Sequence, residues 1–417
     1  MTADYQSSRP RIEELRLRHF RAFRNARLVL SDLTVVVGRN GSGKTTLMEA
    51  FEFLQDCVTH SVLTALERRG GINSVVHRPS SDEPVDGSRQ ASLFELEANY
   101  DGAPSSDVEL AVGIRLPVTN VLYGFTLASE GTRSGFRVKR EILRTFPKTG
   151  FSFERREQHF ESSILNTGVG SESLVLPLVA EREKVWELTL DALRRLQVYD
   201  FSPEAMQAEP RIGSQQALTR NGSNVGDVLR RLDHSDADMN WILRHLDAVT
   251  SGITRIQAAA SAGRRIVEFF QQTGAKESRF VASEMSNGTL HSLGVLLALR
   301  QTPVPSLVYV DEIESSIHTA ALASLMDAAA VTADERCQVI LSTHSTDALS
   351  HPVVTADNVR IVDWQEDRSS IFHVGEGARE LLKPPETVGR LLRSNALWTQ
   401  DLPTTVDHDL FQVESNA

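Results

Sequence analysis

The sequence predicts an α/β fold in which buried strands carry polar loops at their ends, beside an antiparallel β-subdomain and a helical insertion. A short apolar strand, a glycine-rich loop and an amphipathic helix follow one another over residues 33–54. Two later apolar runs, at 307–310 and 338–341, each end in polar residues. Residues 77–89 have the composition of a linker. After it, alternating apolar and polar segments at 92–100 and between 108 and 145, separated by turn clusters, indicate an antiparallel meander.

The glycine-rich loop fits the phosphate-binding pattern G-x-x-x-x-G-K-[ST]. Glycine lets a backbone approach an anion closely, and the start of the following helix points free N–H groups at it. We expect Lys44 to neutralise the β- and γ-phosphates of a nucleotide and the Thr45 hydroxyl to ligate Mg²⁺. A chance glycine–lysine loop is the alternative, and the flanking strand and helix argue against it. The residues expected to bind the nucleotide here are Gly38, Arg39, Asn40, Gly41, Ser42, Gly43, Lys44, Thr45 and Thr46.

The polar residues that end the two later apolar runs suit the same chemistry. Asp311 and Glu312 directly follow the run at 307–310. A metal-binding aspartate followed by a glutamate that polarises water needs this placement at the end of a buried strand. His344 follows the run at 338–341 within the sequence Ser-Thr-His-Ser. A lone histidine is often structural, but its position at a strand end favours a functional role.

A fourth stretch lies between the loop and the two carboxylates. Ser286, Asn287 and Gly288 open an amphipathic helix, whose N-terminus is a second anion site with Ser286 as its cap. The chain therefore carries, in order, a phosphate loop, a Ser-x-Gly helix start, a strand that ends in Asp-Glu and a strand that ends near histidine. This order resembles that of the ABC-type ATPases, and within them the SMC-related RecF-like and OLD-like branch, also called AAA family ATPases.

The resemblance covers about residues 10 to 375 and extends beyond these motifs. The stretch Asp311-Glu312-Ile313-Glu314 is similar to the D-E-P-E sequence of that branch, with isoleucine in place of proline. Asn287 stands where the branch has aspartate, and neither change removes a group that touches phosphate. Three other stretches that resemble the branch lie at 12–23, 199–203 and 221–224.

The resemblance implies a head domain that binds ATP and Mg²⁺, dimerises around two ATP molecules and hydrolyses them. Asn40 would point its amide at the γ-phosphate, although a turn-forming role is the alternative. Asp311 would hold Mg²⁺ through water, Glu312 would be the general base, and His344 would contact the γ-phosphate and the attacking water. The signature residues would close the nucleotide site of the other protomer; they are Ser286 and Gly288. The glutamine of the usual Q-loop has no evident counterpart.

Composition and length indicate an ordinary soluble protein of two or three compact units. Of its 417 residues, 41% are hydrophobic and 24% are charged. No apolar run approaches the roughly 18 residues of a membrane span, and no secretory signal is visible, so we expect a cytoplasmic protein with no membrane partner. Cys57 and Cys337 lack the spacing of metal ligands, and we expect buried free thiols.

The charge distribution bears on nucleic-acid binding. A net charge of −11 argues against a surface coated for DNA, although a local patch keeps nucleic acid a candidate partner. Basic residues crowd two segments, at 9–27 and 133–144. Because alternate residues there are apolar, we interpret them as the solvated face of edge strands, with a nucleic-acid patch as the alternative.

Changes of pattern along the chain suggest four units. Residues 1–175 form a first ATPase lobe with the phosphate loop and the β-subdomain, and 176–276 form a helical insertion with returning strands, in which one helix begins at Ser235. Residues 277–380 form a second ATPase lobe that includes a hairpin of strands at 360–364 and 370–374, and 381–417 form a C-terminal tail. The insertion lacks sustained heptads, so we expect a short lobe and no long coiled-coil arm. No fused nuclease domain is expected, since few residues follow His344.

Two functions fit these observations. The first is an ATPase, active as a homodimer or a higher even oligomer, that controls a separately encoded effector protein in bacterial anti-phage defence or DNA maintenance and repair. A nuclease is one candidate for that effector. The second is a nucleotide-gated scaffold or sensor that holds a partner with negligible turnover. Glu312 favours the first. A transporter ATPase subunit fits poorly, because the insertions are long.

Overall fold

The computed structural model of the chain describes most of its length. The predicted strand at 92–100, most of the predicted linker at 77–89 and the acidic end of the tail lie outside the described residues. Among the residues that the structure describes, none of the helices has the length and apolar character needed to cross a bilayer. The described residues are 9–77, 107–130, 135–147, 150–157, 159–161, 169–213, 217–232, 235–365, 368–382, 386–394 and 396–398.

An antiparallel sheet forms the predicted β-subdomain, and in the described residues it has seven strands in the order β2-β1-β4-β5-β6-β7-β8. The predicted meander from 108 to 145 is confirmed, while the last two strands were not predicted. Its strands are β1 (Arg11–Phe20), β2 (Phe23–Val29), β4 (Val108–Arg115), β5 (Asn120–Ser129), β6 (Phe136–Phe146), β7 (Phe153–Arg156) and β8 (His159–Glu161).

The phosphate loop extends from a second sheet, which has six strands in the described residues. Their order is β16-β15-β3-β14-β13-β9, and all neighbours are parallel except the predicted C-terminal hairpin, β15 and β16. Every residue of β3, β13 and β14 is buried, as expected for strands covered on both faces. Its strands are β3 (Leu33–Gly38), β9 (Leu196–Tyr199), β13 (Leu307–Val310), β14 (Gln338–Thr343), β15 (Val359–Gln365) and β16 (Arg368–His373). Because β3, β14, β13 and β9 are parallel, the residues that follow them meet at one edge of the sheet.

A third sheet is an antiparallel meander of β10 (Ile253–Ser261), β11 (Arg264–Thr273) and β12 (Lys276–Val281). The first two strands were predicted. The third was not, because its residues are mostly exposed and do not alternate between apolar and polar.

Helices cover the sheets and account for the remaining predicted periodicity. The helix after the phosphate loop buries the residues expected to form its apolar face, including Leu47, Phe51 and Leu54. The helix predicted to begin at Ser235 does so, with the Ser235 side chain accepting a hydrogen bond from the Asp238 N–H. The helices are α1 (Lys44–Thr59), α2 (Val62–Glu67), α3 (Leu176–Val179), α4 (Lys184–Arg194), α5 (Pro203–Gln207), α6 (Val225–Leu232), α7 (Asp236–Asp247), α8 (Asn287–Arg300), α9 (Thr319–Glu335), α10 (Thr346–Leu349), α11 (Glu376–Leu381) and α12 (Val388–Arg393), with short 3-10 turns at 72–74, 180–182, 282–284 and 396–398.

The segment 176–276, which the sequence suggested as a helical insertion with returning strands, contacts several parts of the head. Strand β9 belongs to the six-stranded sheet, beside β13. Helix α4 packs on α1, and its Trp186 and Leu193 lie in the same hydrophobic core as the β-subdomain. In the later part of this segment, α6 and α7 pack on the meander that begins with β10, and α7 also packs on α8.

For the basic residues on β1 and β6, the interpretation as solvated faces of edge strands was wrong, because both strands lie inside the sheet. Strand β1 lies between β2 and β4, and its Arg16 and Arg18 are buried. Arg16 pairs with Glu14, and Arg18 lies 3.6 Å from Glu109. In the second segment, Arg140 Nη2 lies 2.6 Å from a carboxylate oxygen of Glu154. These arginines neutralise acids within the sheet, so the described residues give the nucleic-acid alternative no support. Both cysteines are buried free thiols, as predicted.

Candidate nucleotide-binding site

The phosphate loop is fixed by glycines that have no room for a side chain. A Cβ on Gly38 would lie closer than 3.0 Å to Val362 O, and one on Gly43 equally close to Ser369 Oγ. Gly43 also has a φ of 109°, which favours glycine. Ser369 Oγ donates a 2.7 Å hydrogen bond to Ser42 O. The C-terminal hairpin therefore braces the loop from behind, a contact that the motif alone could not predict.

Lys44 lies inside the loop. Its Nζ donates hydrogen bonds of 2.7 Å to Gly38 O and 3.1 Å to Arg39 O, and the residue is buried. Burial lowers the pKa of the Lys44 ammonium, and the negative charges of Asp311 and Glu312 oppose that shift. A cation held within a ring of backbone groups fits the predicted phosphate contact.

Other predicted loop residues are open to solvent. Arg39, Asn40, Gly41 and Thr45 are exposed, and Thr46 is half-buried at the start of α1. They line the mouth of the loop, as phosphate contacts would require. Their individual roles remain predictions.

Asp311 and Thr45, the two residues predicted to bind magnesium, lie close together at the edge of the sheet. Thr45 Oγ1 lies 3.3 Å from Asp311 Oδ2. The second carboxylate oxygen of Asp311 accepts a hydrogen bond from Ser342 Oγ, at the end of the neighbouring strand β14. Burial raises the pKa of the Asp311 carboxyl, and the Ser342 hydrogen bond opposes this.

The oxygen atoms of Thr45 and Asp311 suit a magnesium ion that is completed by water and phosphate, and do not suit a metal bound by protein side chains alone. Among the described residues, no group of three or more histidine, cysteine, aspartate or glutamate side chains could hold a metal ion. Mg²⁺ is commonly bound through one carboxylate together with waters and substrate phosphates. One carboxylate and one hydroxyl beside a phosphate loop match that pattern.

Glu312 differs from Asp311 in its exposure. It is exposed to solvent, while Asp311 is buried. Its backbone is left-handed, with a φ of 46°, and its N–H donates a 2.9 Å hydrogen bond to Ser342 Oγ. A non-glycine residue in this region is strained, and such strain persists only where the surroundings impose it. The turn directs consecutive carboxylates to different environments, one into the metal-binding pair and one toward solvent.

His344 lies beyond the end of β14 with its side chain half exposed. Its Nδ1 lies 2.9 Å from Glu314 Oε1, and the same oxygen accepts a 2.7 Å hydrogen bond from the His344 N–H. Glu314 lies in the motif at 311–314, but the sequence predicted no role for it.

Ser286 and Gly288 lie in the first turn of α8, as predicted. Ser286 Oγ accepts a 3.1 Å hydrogen bond from the Thr289 N–H, so the serine is the helix cap. Gly288 is buried, and a Cβ there would lie 2.5 Å from Ser316 O of the same chain. The glycine therefore allows α8 to approach the segment after Asp311, and it is Ser286 and Asn287 that are exposed.

A further acidic residue at this edge was missed. Asp200 follows β9, and the preceding Tyr199 O accepts a 2.8 Å hydrogen bond from the Asp311 N–H. The Asp200 carboxylate lies 3.5 Å from Arg220, which also binds Glu52 of α1 at 2.9 Å. The position of β9 beside β13 was the missing information, because a four-residue strand gives little sign of its neighbours.

Solved structures share this fold. An SMC head domain from Pyrococcus furiosus, with an extended coiled coil and bound to the C-terminal domain of ScpA, matches 89% of this chain and 98% of its own at 13% identity and a TM-score of 0.52. An SMC head bound to the C-winged helix domain of ScpA matches 88% and 99%, also at 13% identity, with a TM-score of 0.50. At such identity the likeness shows the fold alone. No curated protein gives a significant match.

The sequence also matches a known family. Residues 33–350 match the family described as "AAA domain, putative AbiEii toxin, Type IV TA system". That range contains the phosphate loop, the start of α8, the Asp311–Glu312 pair and His344. Neither this match nor the similar structures indicate a nuclease domain. The chain therefore belongs to this AAA-domain family and has the α/β P-loop fold of an SMC-type ATPase head, as its motifs predicted.

Proposed function

We propose that the protein binds ATP with Mg²⁺ at the loop 38–46 and hydrolyses it. The observation that carries this proposal is the meeting of Thr45 and Asp311, 3.3 Å apart, beside the buried Lys44. Two separate parts of the sequence, the loop with Lys44 and Thr45 and the strand end with Asp311, would thereby supply a phosphate counter-charge and two oxygen ligands for magnesium. Bound Mg²⁺ would supply positive charge that neutralises the phosphate oxygens.

Hydrolysis needs a base and a group that orients the water. Glu312 is exposed next to the metal-binding pair, where it can accept the proton of a water that attacks the γ-phosphorus while the bond to ADP breaks. The two consecutive carboxylates would have separate roles, since the buried Asp311 would bind the metal and the exposed Glu312 would remain available as the base. His344, with its half-exposed ring, would contact the γ-phosphate and that water.

The composite site would be completed by a second copy of the chain. Ser286 and Asn287 are exposed at the N-terminus of α8, a helix of 14 residues, so the helix start is open to an incoming phosphate. We propose a homodimer, or a higher even oligomer, in which this helix start closes the partner's nucleotide site. The nucleotide state would then control a separately encoded effector.

The family description supports a proposal for the cellular setting. It names a putative toxin of a type IV toxin–antitoxin system. We propose a role in bacterial anti-phage defence, with DNA maintenance as the other setting and a nuclease as one candidate effector. The similar SMC heads bind another protein, ScpA, which supports partner control in general.

ATP binding is tested by Lys44→Ala. Lys44 Nζ lies within the loop, hydrogen-bonded to Gly38 O and Arg39 O. The substitution removes this positive charge, which we propose neutralises the phosphates. We expect calorimetric titration with ATP and Mg²⁺ to show binding to the wild type and none to the variant. Lys184→Ala, which removes a lysine from an exposed ion pair on α4, is the matched control and should bind as the wild type does. Equal affinity in wild type and Lys44→Ala would contradict the site.

A further inference from the structure

We propose that Glu314 is a positioning residue that holds the His344 ring in one orientation and one tautomer for the proposed hydrolysis. This inference rests on the proposed function for its kinetic consequences, but the contact itself can be tested without nucleotide. It gives a role to a buried carboxylate beside the site.

The backbone brings Glu314 to His344 through a short extension of the sheet. After β13 the chain turns at Glu312 and runs beside the end of β14. Glu312 N–H bonds to Ser342 Oγ at 2.9 Å, and Ile313 N–H bonds to Ser342 O at 3.1 Å. Glu314 is thereby carried alongside His344, two residues further on in each segment.

One oxygen of Glu314 makes two contacts with the same residue. Oε1 accepts the His344 N–H at 2.7 Å and lies 2.9 Å from Nδ1. A carboxylate only accepts hydrogen bonds, so Nδ1 must carry a proton for this contact to form. That requirement fixes the tautomer of the neutral ring and leaves Nε2 as a hydrogen-bond acceptor for the attacking water. A contact with a phosphate oxygen needs the protonated ring, in which Nε2 donates as well.

The exposures of the two side chains suit a largely buried Glu314 that positions a solvent-accessible His344. The Glu314 side chain is 11% exposed, while the His344 side chain is 51% exposed. A half-exposed imidazole ordinarily rotates among several orientations. Bonds to both its backbone and its ring confine it to one, as outer-shell carboxylates do for functional histidines elsewhere.

Stability alone does not explain the placement of Glu314. Its other oxygen, Oε2, is buried and has no hydrogen-bond partner among the described residues. A buried carboxylate oxygen without a donor is costly, because it has lost its water contacts and gained no hydrogen bond. A residue retained only for folding would gain from a smaller or apolar side chain here, so the observed arrangement favours a functional reason.

The direct test is the tautomer of His344, read from the ring nitrogen shifts in NMR of protein labelled in its histidines, at a pH where the ring is neutral. His344→Ala identifies the signal by its loss. We expect the Nδ1–H tautomer in the wild type and in Glu314→Gln, whose amide oxygen still accepts the bond. Glu314→Ala should lose that preference. A wild-type ring in the Nε2–H form, or one unchanged in Glu314→Ala, would overturn the proposal.

Kinetics test the consequence for hydrolysis. Glu314→Ala should lower kcat by about 10–100-fold, the range for supporting residues, with little change in ATP affinity, and Glu314→Gln should retain more activity. The double variant Glu314→Ala/His344→Ala should be no slower than His344→Ala, since the effect passes through the ring. Multiplying effects in the double variant would contradict this.

A matched control separates positioning from charge. Asp347→Ala removes another carboxylate close by, which accepts a 3.0 Å hydrogen bond from Thr319 and does not contact His344. It should leave both kcat and the His344 tautomer unchanged, and an equal effect would overturn the proposal. Should the wild type bind ATP without turnover, the proposed hydrolysis fails, while the tautomer measurement still decides whether Glu314 positions His344.

Discussion

Replacing Gly43 by alanine should damage the phosphate loop far more than the same change at Gly41. Both glycines have positive φ values, 109° and 78°, so alanine at either position carries a backbone strain of roughly 1–2 kcal/mol. The two positions differ in space. A Cβ on Gly43 would meet Ser369 Oγ at less than 3.0 Å and Ser369 Cβ at 3.0 Å, whereas nothing lies within 4 Å of a Cβ on Gly41.

The expected magnitudes follow from these contacts. Gly41→Ala should lower the free energy of unfolding by the strain alone, about 1–2 kcal/mol. Gly43→Ala adds overpacking of about 1–3 kcal/mol. If Ser369 rotates away, the overpacking is relieved but the 2.7 Å bond to Ser42 O is lost, which costs about 0.5–1.5 kcal/mol in its place. Without that rotation, strain and overpacking together give about 2–5 kcal/mol for Gly43→Ala.

Urea denaturation of the single variants and of each in a Ser369→Gly background measures this difference. Removing the Ser369 side chain takes away both clashing atoms, so the cost of Gly43→Ala should fall toward that of Gly41→Ala. The cost of Gly41→Ala should not change in the same background. Equal costs at the two glycines, or no relief on removing the serine side chain, would refute the view that the hairpin braces the loop.

Two further predictions concern pH and assembly. Burial raises the pKa of Glu141 from 4.5 to about 7. Between these two pH values the folded state therefore binds one more proton than the unfolded state does. The stability that this group contributes is fully present below pH 4.5 and is lost as pH rises through 7. Denaturation of wild type and Glu141→Gln should therefore show the variant gaining about 3 kcal/mol relative to wild type over that window, at 1.36 kcal/mol per unit; parallel pH profiles would contradict it. Asn287→Trp places a bulky, uncharged side chain at the exposed start of α8, so it should block ATP-dependent association in sedimentation while each chain still binds ATP. Mixing it with Lys44→Ala should restore partial ATPase activity through one intact composite site, and no recovery in proven mixed dimers would exclude action across the interface.

The sequence predicted the parts of the site that depend on local pattern. Strands β3, β13 and β14 are continuous apolar runs, and each ends in polar residues, so their burial and the placement of Lys44 and Asp311 could be inferred from single segments. The hydrogen bond of Ser235 at the start of α7 was likewise local. In each case the neighbours in sequence are also the neighbours in space.

Features set by distant partners were not predictable. The burial of Arg18 depends on Glu109, which comes from a strand that follows much later in the chain. The place of β9 in the core sheet depends on pairing with β13, and its four residues carry no sign of that partner. The bracing of the loop by Ser369 also joins residues more than 300 positions apart.

Gly288 shows how the structure changes an interpretation without changing the motif. The resemblance implied that Gly288 helps to close the nucleotide site of a second protomer. The structure shows that a Cβ would meet Ser316 O of the same chain. A substitution at Gly288 would therefore disturb its own protomer, which is why the exposed Asn287 is the better probe of assembly.

The most direct test of the account is a single-turnover assay with radiolabelled ATP and enzyme in excess, comparing wild type with Glu312→Gln. Glu312 is exposed beside the Asp311–Thr45 pair, and the variant keeps that pair intact. We predict that both bind ATP, that the wild type forms ADP and phosphate, and that the variant is slower by about 10²–10⁴-fold. Bound ATP that the wild type does not hydrolyse would indicate a nucleotide-gated scaffold, and equal rates in the two proteins would contradict the role of Glu312 as the base.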